Sequence, residues 1–426
     1  LFAAGWLWIR HQIPSGDEPH YLIIAQSLIS DHDLDLKNNY AQKDYQIWGY
    51  QILDAHISLN SVPPHGYSVH NIGWPLVFTP FFALAGRAGI AFLTSLLGAL
   101  LFINIFLILK KVVKNQTVRI IISSIIIFSI PIFIYSNQVF NEIFAAFLVL
   151  YAFRKIIEED DNLYGQILTL LAISYLPWIH IKYLLISLVL LSWWIYKFWR
   201  KKTLILGIIY IASLFVLGYL FKHWYGSFSP NAQYPANLAY DFKKIGQGIV
   251  ALLFDRTFGI FVYSPIYFLS LAGFYFLYKD NKLLFIKLLT VFLALFLVQA
   301  LNATMIGWAP IGRFLVVVLP LLSIPLTFTY IHLKKWSKIL FWLLSGWGLL
   351  VSLILFRYPR LDYNISEPQF LKFISPHSFS IWKIFPNFLS DGKYTILDHS
   401  TILCLSCWII IILAVNLIII FNSRKS

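Results

Sequence analysis

The feature that most constrains this chain is a series of long apolar runs without a charged residue. Residues 88–109, 203–221, 257–278, 288–312, 314–331, 339–356 and 400–423 contain no Asp, Glu, Lys or Arg. A helix crosses roughly 30 Å of hydrocarbon with about 20 residues, so each run is close to a membrane span. Helices are required because hydrocarbon leaves free backbone N–H and C=O groups unsatisfied. A soluble helical core would carry polar stripes on these segments. It would also need far more charge than the 12% present here, since soluble domains carry about 25%. The expected class is an all-α polytopic membrane protein with about twelve spans.

Charge sorting orients the spans. Loops 110–119, 154–161, 197–203, 279–287 and 332–338 and the tail 424–426 fall on one side. They hold 18 of the 33 Lys and Arg against 5 of the 19 acids, a net +13. The remainder, 15 against 14, nets +1. The overall +14 is therefore a positive-inside pattern rather than a nucleic-acid footprint. After a first span, the others are expected near 88–109, 118–135, 138–154, 162–178, 180–197, 203–221, 257–278, 285–302, 313–331, 339–356 and 400–421. Met305 is the single methionine, and 1–9 reads as the outer end of a helix that starts before Leu1.

The expected organisation runs from the end of that first helix (1–10) to a first extracytoplasmic loop with interfacial helices (11–87). A transmembrane core (88–356), an extracytoplasmic loop (357–399), and a last span with cytoplasmic tail (400–426) follow. Within the first loop, 19–30 (PHYLIIAQSLIS) reads as a short amphipathic helix with Pro in its first turn. Segment 72–85 is apolar, short and Pro-interrupted, as expected of a stretch lying at the interface. Cys404 and Cys407 sit in the last apolar run. Without a second ligand pair they read as small packing residues.

Asp17 and Glu18, in Gly16-Asp17-Glu18-Pro19-His20-Tyr21, are the sharpest chemical feature. Two adjacent carboxylates at a membrane mouth suit proton abstraction, because a partly desolvated acid beside another has a raised pKa. The bland alternative is helix capping, common for Asp before Pro. The pair, followed by a helix of the form Tyr-x-x-x-Ala and then Asp33-Leu34-Asp35-Leu36, resembles the GT-C superfamily of membrane glycosyltransferases. The nearest branch is that of protein O-mannosyltransferases and lipid A aminoarabinose transferases. Further points of resemblance are 63–66 (PPHG) leading to Arg87-Ala88, Phe140-Asn141-Glu142, and Trp308 to Phe314 with Arg313 entering a late helix. The sequence departs from that branch in that residues 357–426 are not expected to form a sizeable C-terminal outer domain.

The resemblance implies transfer of a sugar from a polyprenyl-phosphate-linked donor to a lipid, glycan or protein hydroxyl at the extracytoplasmic face of the plasma (inner) membrane. Asp17 is then the base of an inverting displacement, and Glu18 orients base or acceptor. His20, Tyr21, Glu142 and Asp255 are further cavity candidates. The leaving polyprenyl phosphate needs cations. Arg313 is the first candidate, because a guanidinium can fork onto phosphate. His180 and Lys182, then Lys222 and Arg256, follow at expected outer helix ends. For each the plain alternative is snorkelling or an ion pair, such as Asp255 with Arg256. Glu142, an acid in an apolar stretch, faces either the cavity or the interface.

Asp33-x-Asp35 resembles the DxD of nucleotide-sugar enzymes, but those are α/β domains, and a solvated turn is expected here. No fixed-spacing metal motif is present and no cofactor is required, so no metal ligands are assigned. The loop nonetheless offers donors for a divalent metal: Asp17 with His20, or His56, His65 and His70. Trp6, Trp8, Trp48, Trp74, Trp178, Trp224 and Trp308 read mainly as an interfacial belt. A transporter, flippase or polymerase-like protein for lipid-linked glycans is the alternative function. It would place charge mid-membrane in paired halves, whereas the ionisable residues here cluster near outer helix ends.

Overall fold

The protein is described by a computed structural model over residues 5, 12–158, 162–199, 202–234, 244–301, 309–364, 367–375, 380–390, 393–394 and 398–423. Apart from Gly5, the expected first span lies outside the described residues, as do Met305, Trp308 and the tail 424–426. In chain order the first helices are α1 (Glu18–Ser30), α2 (Lys37–Ala41), α3 (Gly73–Leu109), α4 (Gln116–Phe128) and α5 (Ile132–Tyr135). The next are α6 (Glu142–Ile157), α7 (Leu163–Ile179), α8 (Leu184–Phe198), α9 (Ile208–Tyr225), α10 (Ile245–Phe254) and α11 (Ile260–Tyr263). The last are α12 (Ser270–Asp280), α13 (Lys282–Ala300), α14 (Ser323–His332), α15 (Lys335–Arg357), α16 (Gln369–Ile374) and α17 (His399–Ser423). Strand pairing among the described residues is limited to two antiparallel two-residue pairs and a bridge between Ile57 and Ser68.

Among the described residues, six helical stretches are long and apolar enough to cross a membrane: Gly73–Leu109, Ile181–Phe198, Ile205–Tyr225, Lys282–Ala300, Lys335–Arg357 and His399–Ser423. Four shorter apolar helices accompany them. In the stretches carrying α9 and α17 only 17% of the apolar window is buried. Large apolar side chains such as Phe215, Ile410 and Leu413 are left uncovered. A soluble chain would bury them, whereas hydrocarbon solvates them, and the chain is accordingly a multi-pass all-α membrane protein.

Several expected spans are interrupted. The run 257–278 breaks into α11, a 3-10 turn over Pro265–Leu269, and α12. Pro265 has no N–H to offer the preceding turn. The run 118–135 stops at Phe128, with Ser129 extended just before Pro131, and resumes as α5. The span placed at 313–331 starts as 3-10 turns, Arg313–Leu315 and Leu319–Leu322, and becomes α-helical only at Ser323. A helix, α10, forms where only loop was expected. The apolar segment at 72–85 is helical and runs into the second span, with the junction at Ala85 and Gly86 in non-helical conformation. Gly86 has φ +56° and ψ −143°, a combination essentially restricted to glycine.

The chain divides into two compact units, residues 1–97 with 135–239 and residues 98–134 with 240–426. In the first unit α6, α7, α8 and α9 pack on one another. The long loop before α3 is tied to them. Tyr225 Oη donates to Ser68 O (2.7 Å), the Val62 N–H to Trp224 O (2.8 Å), and Ser58 Oγ to Gln233 O (2.8 Å). Gln233 Nε2 donates to Asn71 Oδ1 (2.6 Å), and Asn71 Nδ2 to Pro177 O (3.1 Å). In the second unit small residues allow close helix approach. A Cβ at Gly273 of α12 would meet Pro325 O of α14 at 1.8 Å, and one at Gly248 of α10 would meet Ala300 O of α13 at 1.9 Å. Such contacts replace the hydrophobic drive that hydrocarbon removes between helices. Asn416 of α17 adds a polar tie, accepting the Ala272 N–H at 2.9 Å.

Candidate active site

The turn into α1 is set by Gly16, whose φ of +60° suits glycine. The strand of chain before it is held at two points. Arg87 Nη2 donates to Gln12 O (2.8 Å), and Tyr50 Oη donates to Pro14 O. Asp17 is the N-cap residue of α1, yet its side chain makes no capping hydrogen bond. The capping alternative for Asp17 therefore does not hold.

Glu18 is buried, and both its oxygens accept backbone N–H groups: Oε2 from Ser15 (2.9 Å) and Oε1 from Val139 (2.7 Å). The two adjacent acids thus divide. Glu18 fastens α1 to the segment ahead of α6, and Asp17 is half-buried with a carboxylate oxygen near His56 and His70. Helix α1 is not amphipathic in the expected sense. Residues 18–25 are all buried, so its first two turns are core.

Three imidazoles gather beside Asp17. His20 stacks on His56 (centroids 3.4 Å apart, planes 10°), and His56 lies 5.1 Å from His70. His56 Nδ1 and His70 Nε2 face each other at 2.8 Å. His20 Nδ1 is 2.7 Å from Tyr40 Oη, which also accepts the His56 N–H at 3.2 Å. Burial, then the neighbouring His70 and His56, push the His20 pKa down to about 2, against the pull of Asp17. His56 is lowered too, by burial, with Asp17 and Asp54 opposing. His20 is therefore a neutral ring at physiological pH. The oxygen of Asp17 and one nitrogen each from His56 and His70 lie within 4.8 Å of one another. His65 is elsewhere, hydrogen-bonded to Asp35 at 2.9 Å.

The same unit carries the expected Tyr21, Glu142, Lys182 and His180. Lys182 Nζ meets Glu142 Oε1 at 2.9 Å, with Glu142 almost fully buried at 1% side-chain exposure. Tyr183 Oη donates to Asn141 Oδ1 (2.9 Å), and Asn141 Nδ2 donates to Tyr21 Oη (2.7 Å). A hydrogen-bonded chain thus links the start of α8 through the start of α6 to α1. His180 caps the turn at 181–183 by accepting the Lys182 N–H (3.1 Å), and its Nε2 is 3.2 Å from Tyr234 Oη. Lys222 is exposed and donates to Gly226 O at 2.8 Å, closing the end of its own helix.

Arg313, Asp255 and Arg256 belong to the second unit. Arg313 opens a 3-10 turn after Gly312, whose φ of +72° and close approach to Pro131 demand glycine. That turn is anchored by the Ile311 N–H to Asp362 Oδ1 (3.1 Å) and by the pairing of Ala309–Pro310 with Tyr363–Asn364. Asp255 is wholly buried and accepts N–H groups from Thr257, Phe258 and Phe388. Arg256 lies over the Trp382 ring at 4.7 Å. These contacts give Asp255 a structural task.

Asp33 and Asp35 organise a turn, as expected. Asp33 Oδ1 accepts from Ser27 Oγ and the Asp35 N–H, and Asp35 Oδ1 accepts the Lys37 and Gly66 N–H groups. Two readings of aromatic residues change. Trp74 is fully buried with its Nε1 on Val139 O (2.8 Å), and Trp48 and Trp224 are also buried, so these three are core rather than belt residues. Tyr40, Asn141 and Tyr183 were not singled out in the sequence. Only Asn141 carried a signal, as the neighbour of Glu142.

No protein-family model matches the sequence, and no curated protein matches it. A solved structure does share the fold: ArnT from Cupriavidus metallidurans bound to undecaprenyl phosphate. The similarity has a TM-score of 0.51 at 12% identity and covers 79% of this chain and 60% of that one. The chain therefore spans about 60% of the length of the solved protein it matches. This chain and that solved protein share a fold.

Proposed function

We propose, from the fold shared with ArnT, that the chain is a GT-C membrane glycosyltransferase. It moves a sugar from a polyprenyl-phosphate-linked donor to an acceptor hydroxyl at the extracytoplasmic rim of the membrane. The observation that carries this reading is the division of labour in the acidic pair. Glu18 is locked by two backbone N–H groups, while Asp17 heads the same helix without serving as its cap.

In the reaction the acceptor oxygen forms a bond to the anomeric carbon as the bond from that carbon to the phosphate oxygen breaks. The proton passes to the Asp17 carboxylate, and the electron pair leaves with the polyprenyl phosphate. A single in-line displacement inverts the anomeric centre. A positioned base of this kind contributes about 10²–10⁴-fold in rate. Glu18 is a positioning residue, holding the turn that presents Asp17. Lys182 and His180 of the same unit are assigned to the donor phosphate, with Glu142 fixing the Lys182 ammonium. Arg313 is retained as a phosphate-binding candidate on its sequence context. The apolar helices solvate the donor's lipid tail, which explains why such chemistry needs a membrane protein.

The test uses purified protein in nanodiscs supplied with a panel of polyprenyl-phosphate-linked sugars and a membrane lipid and glycan extract. Release of free polyprenyl phosphate coupled to appearance of a glycosylated product is expected with one donor class. Absence of turnover with every donor, together with absence of polyprenyl phosphate binding, would contradict the reading.

A further inference from the structure

We propose that Asp17, His56 and His70 form a binding site for one divalent transition-metal ion of the zinc class. Two imidazoles and a carboxylate, with a fourth position left for water or substrate, are a donor set that suits zinc in open, reactive sites. Their three donor atoms lie within 4.8 Å of one another. Zn–N distances of about 2.0–2.1 Å in a tetrahedron separate ligand atoms by about 3.3 Å, so small side-chain rotations close the set around an ion.

The second observation is the facing pair of ring nitrogens. His56 Nδ1 and His70 Nε2 stand 2.8 Å apart. Two neutral imidazole nitrogens approach so closely only with one proton between them, one ring donating and the other accepting. A metal ion takes the place of that proton and satisfies both nitrogens at once.

The surroundings favour a fixed geometry. His20 stacks on His56 at 3.4 Å, and the His56 backbone N–H donates to Tyr40 Oη. The His70 backbone N–H donates to Ser68 Oγ at 3.0 Å, and the Tyr21 ring lies 5.0 Å from the His70 ring. Packing of this kind orients ligands before an ion arrives. His20 is not in the set, because its Nδ1 is engaged with Tyr40, and His65 is paired with Asp35.

Binding stands independently of the transfer reading. One consequence rests on that reading: a carboxylate coordinated to a metal cation is a much weaker base, because the cation favours its unprotonated form. Metal loading and base catalysis by Asp17 are then alternative states of one residue, and the ion acts as a brake.

The test is titration of the untagged full chain in nanodiscs with Co²⁺, read by visible d–d absorption. We expect one equivalent to give the intense bands of four-coordinate Co²⁺, bleached by Zn²⁺. His56→Ala and His70→Ala should each weaken Co²⁺ binding by about 100-fold or more, exceeding the 10–100-fold cost of removing a partner outside the coordination sphere. His65→Ala should leave it unchanged. X-ray absorption on Zn²⁺-loaded wild type should find two imidazole ligands, a readout that needs no variant to fold. No saturable Co²⁺ binding by the wild type, or fewer than two imidazoles on zinc, overturns the site while leaving sugar transfer untouched. Conversely, a normal Co²⁺ spectrum in a protein without transferase activity leaves the site standing.

Discussion

At the scale of single residues, Asp17 and Glu18 should fail in different ways when changed. Asp17→Asn keeps the shape of α1 and should cost about 10²–10⁴-fold in transfer with an unaltered melting temperature. Glu18→Gln puts an amide NH₂ where a backbone N–H of Ser15 or Val139 needs an acceptor. It should cost about 1–3 kcal/mol of stability, read as a lower melting temperature. A Glu18 variant that is stable but inactive would show that Glu18 takes part in the reaction instead. Lys182→Ala strands the buried Glu142 carboxylate and should destabilise by about 3–5 kcal/mol. Adding Glu142→Gln should restore much of that loss in a double-mutant cycle; additivity would mean that the two do not interact. The adjacency of the acids was readable in the sequence, and so was their placement at a helix start. Which of the two is locked was not, because the decisive donor, Val139, lies 121 residues away. The gathering of His20, His56 and His70 was hidden for the same reason: imidazoles in loops carry no periodic signal.

At the scale of elements, the chain reports its helices through composition and its breaks through Pro and Gly. Spans such as α15 and α17 follow directly from the charge-free runs. Those at 257–278 and 313–331 do not, because apolar content says nothing about whether a helix is continuous: Pro265 breaks the first, and 3-10 turns at Arg313–Leu315 and Leu319–Leu322 occupy the start of the second. Helix α1 is expected to be amphipathic, but His20 and Tyr21 in its first turns are buried, against His56, Tyr40 and His70 of the loop before α3. At the α3 junction, Gly86→Ala meets no steric obstacle. Its cost is purely conformational, about 1–3 kcal/mol, and should appear in a denaturation midpoint; a neutral substitution would mean that the kink straightens without penalty.

The turn at 33–37 adds a pH effect. Asp35 is partly desolvated, which opposes ionisation, but His65 and the Gly66 and Lys37 N–H groups prevail and hold its pKa below the ordinary value. A carboxylate lowered on folding contributes stability that is complete above its unfolded pKa of about 3.9 and lost as pH falls past it. Asp35→Asn should therefore shrink the drop in melting temperature between about pH 5 and about pH 3. An unchanged drop would place the acid sensitivity elsewhere.

At the scale of the whole molecule, the hydrophobic bulk and the charge asymmetry belong to one design. By charge sorting, excess Lys and Arg fall on the expected cytoplasmic loops, and most acids, Asp17 among them, fall on the expected opposite side. The apolar helices leave surface that lipid satisfies, and under the proposed function the donor's lipid tail shares that solvent. Sugar transfer from such a donor, with Asp17 as base, is the central claim. Its most direct measurement compares wild type and Asp17→Asn, both reconstituted in nanodiscs, for turnover of a polyprenyl-phosphate-linked sugar, with polyprenyl phosphate binding measured in parallel. The account predicts equal binding and a rate lower by about 10²-fold or more in the variant; equal rates would contradict it.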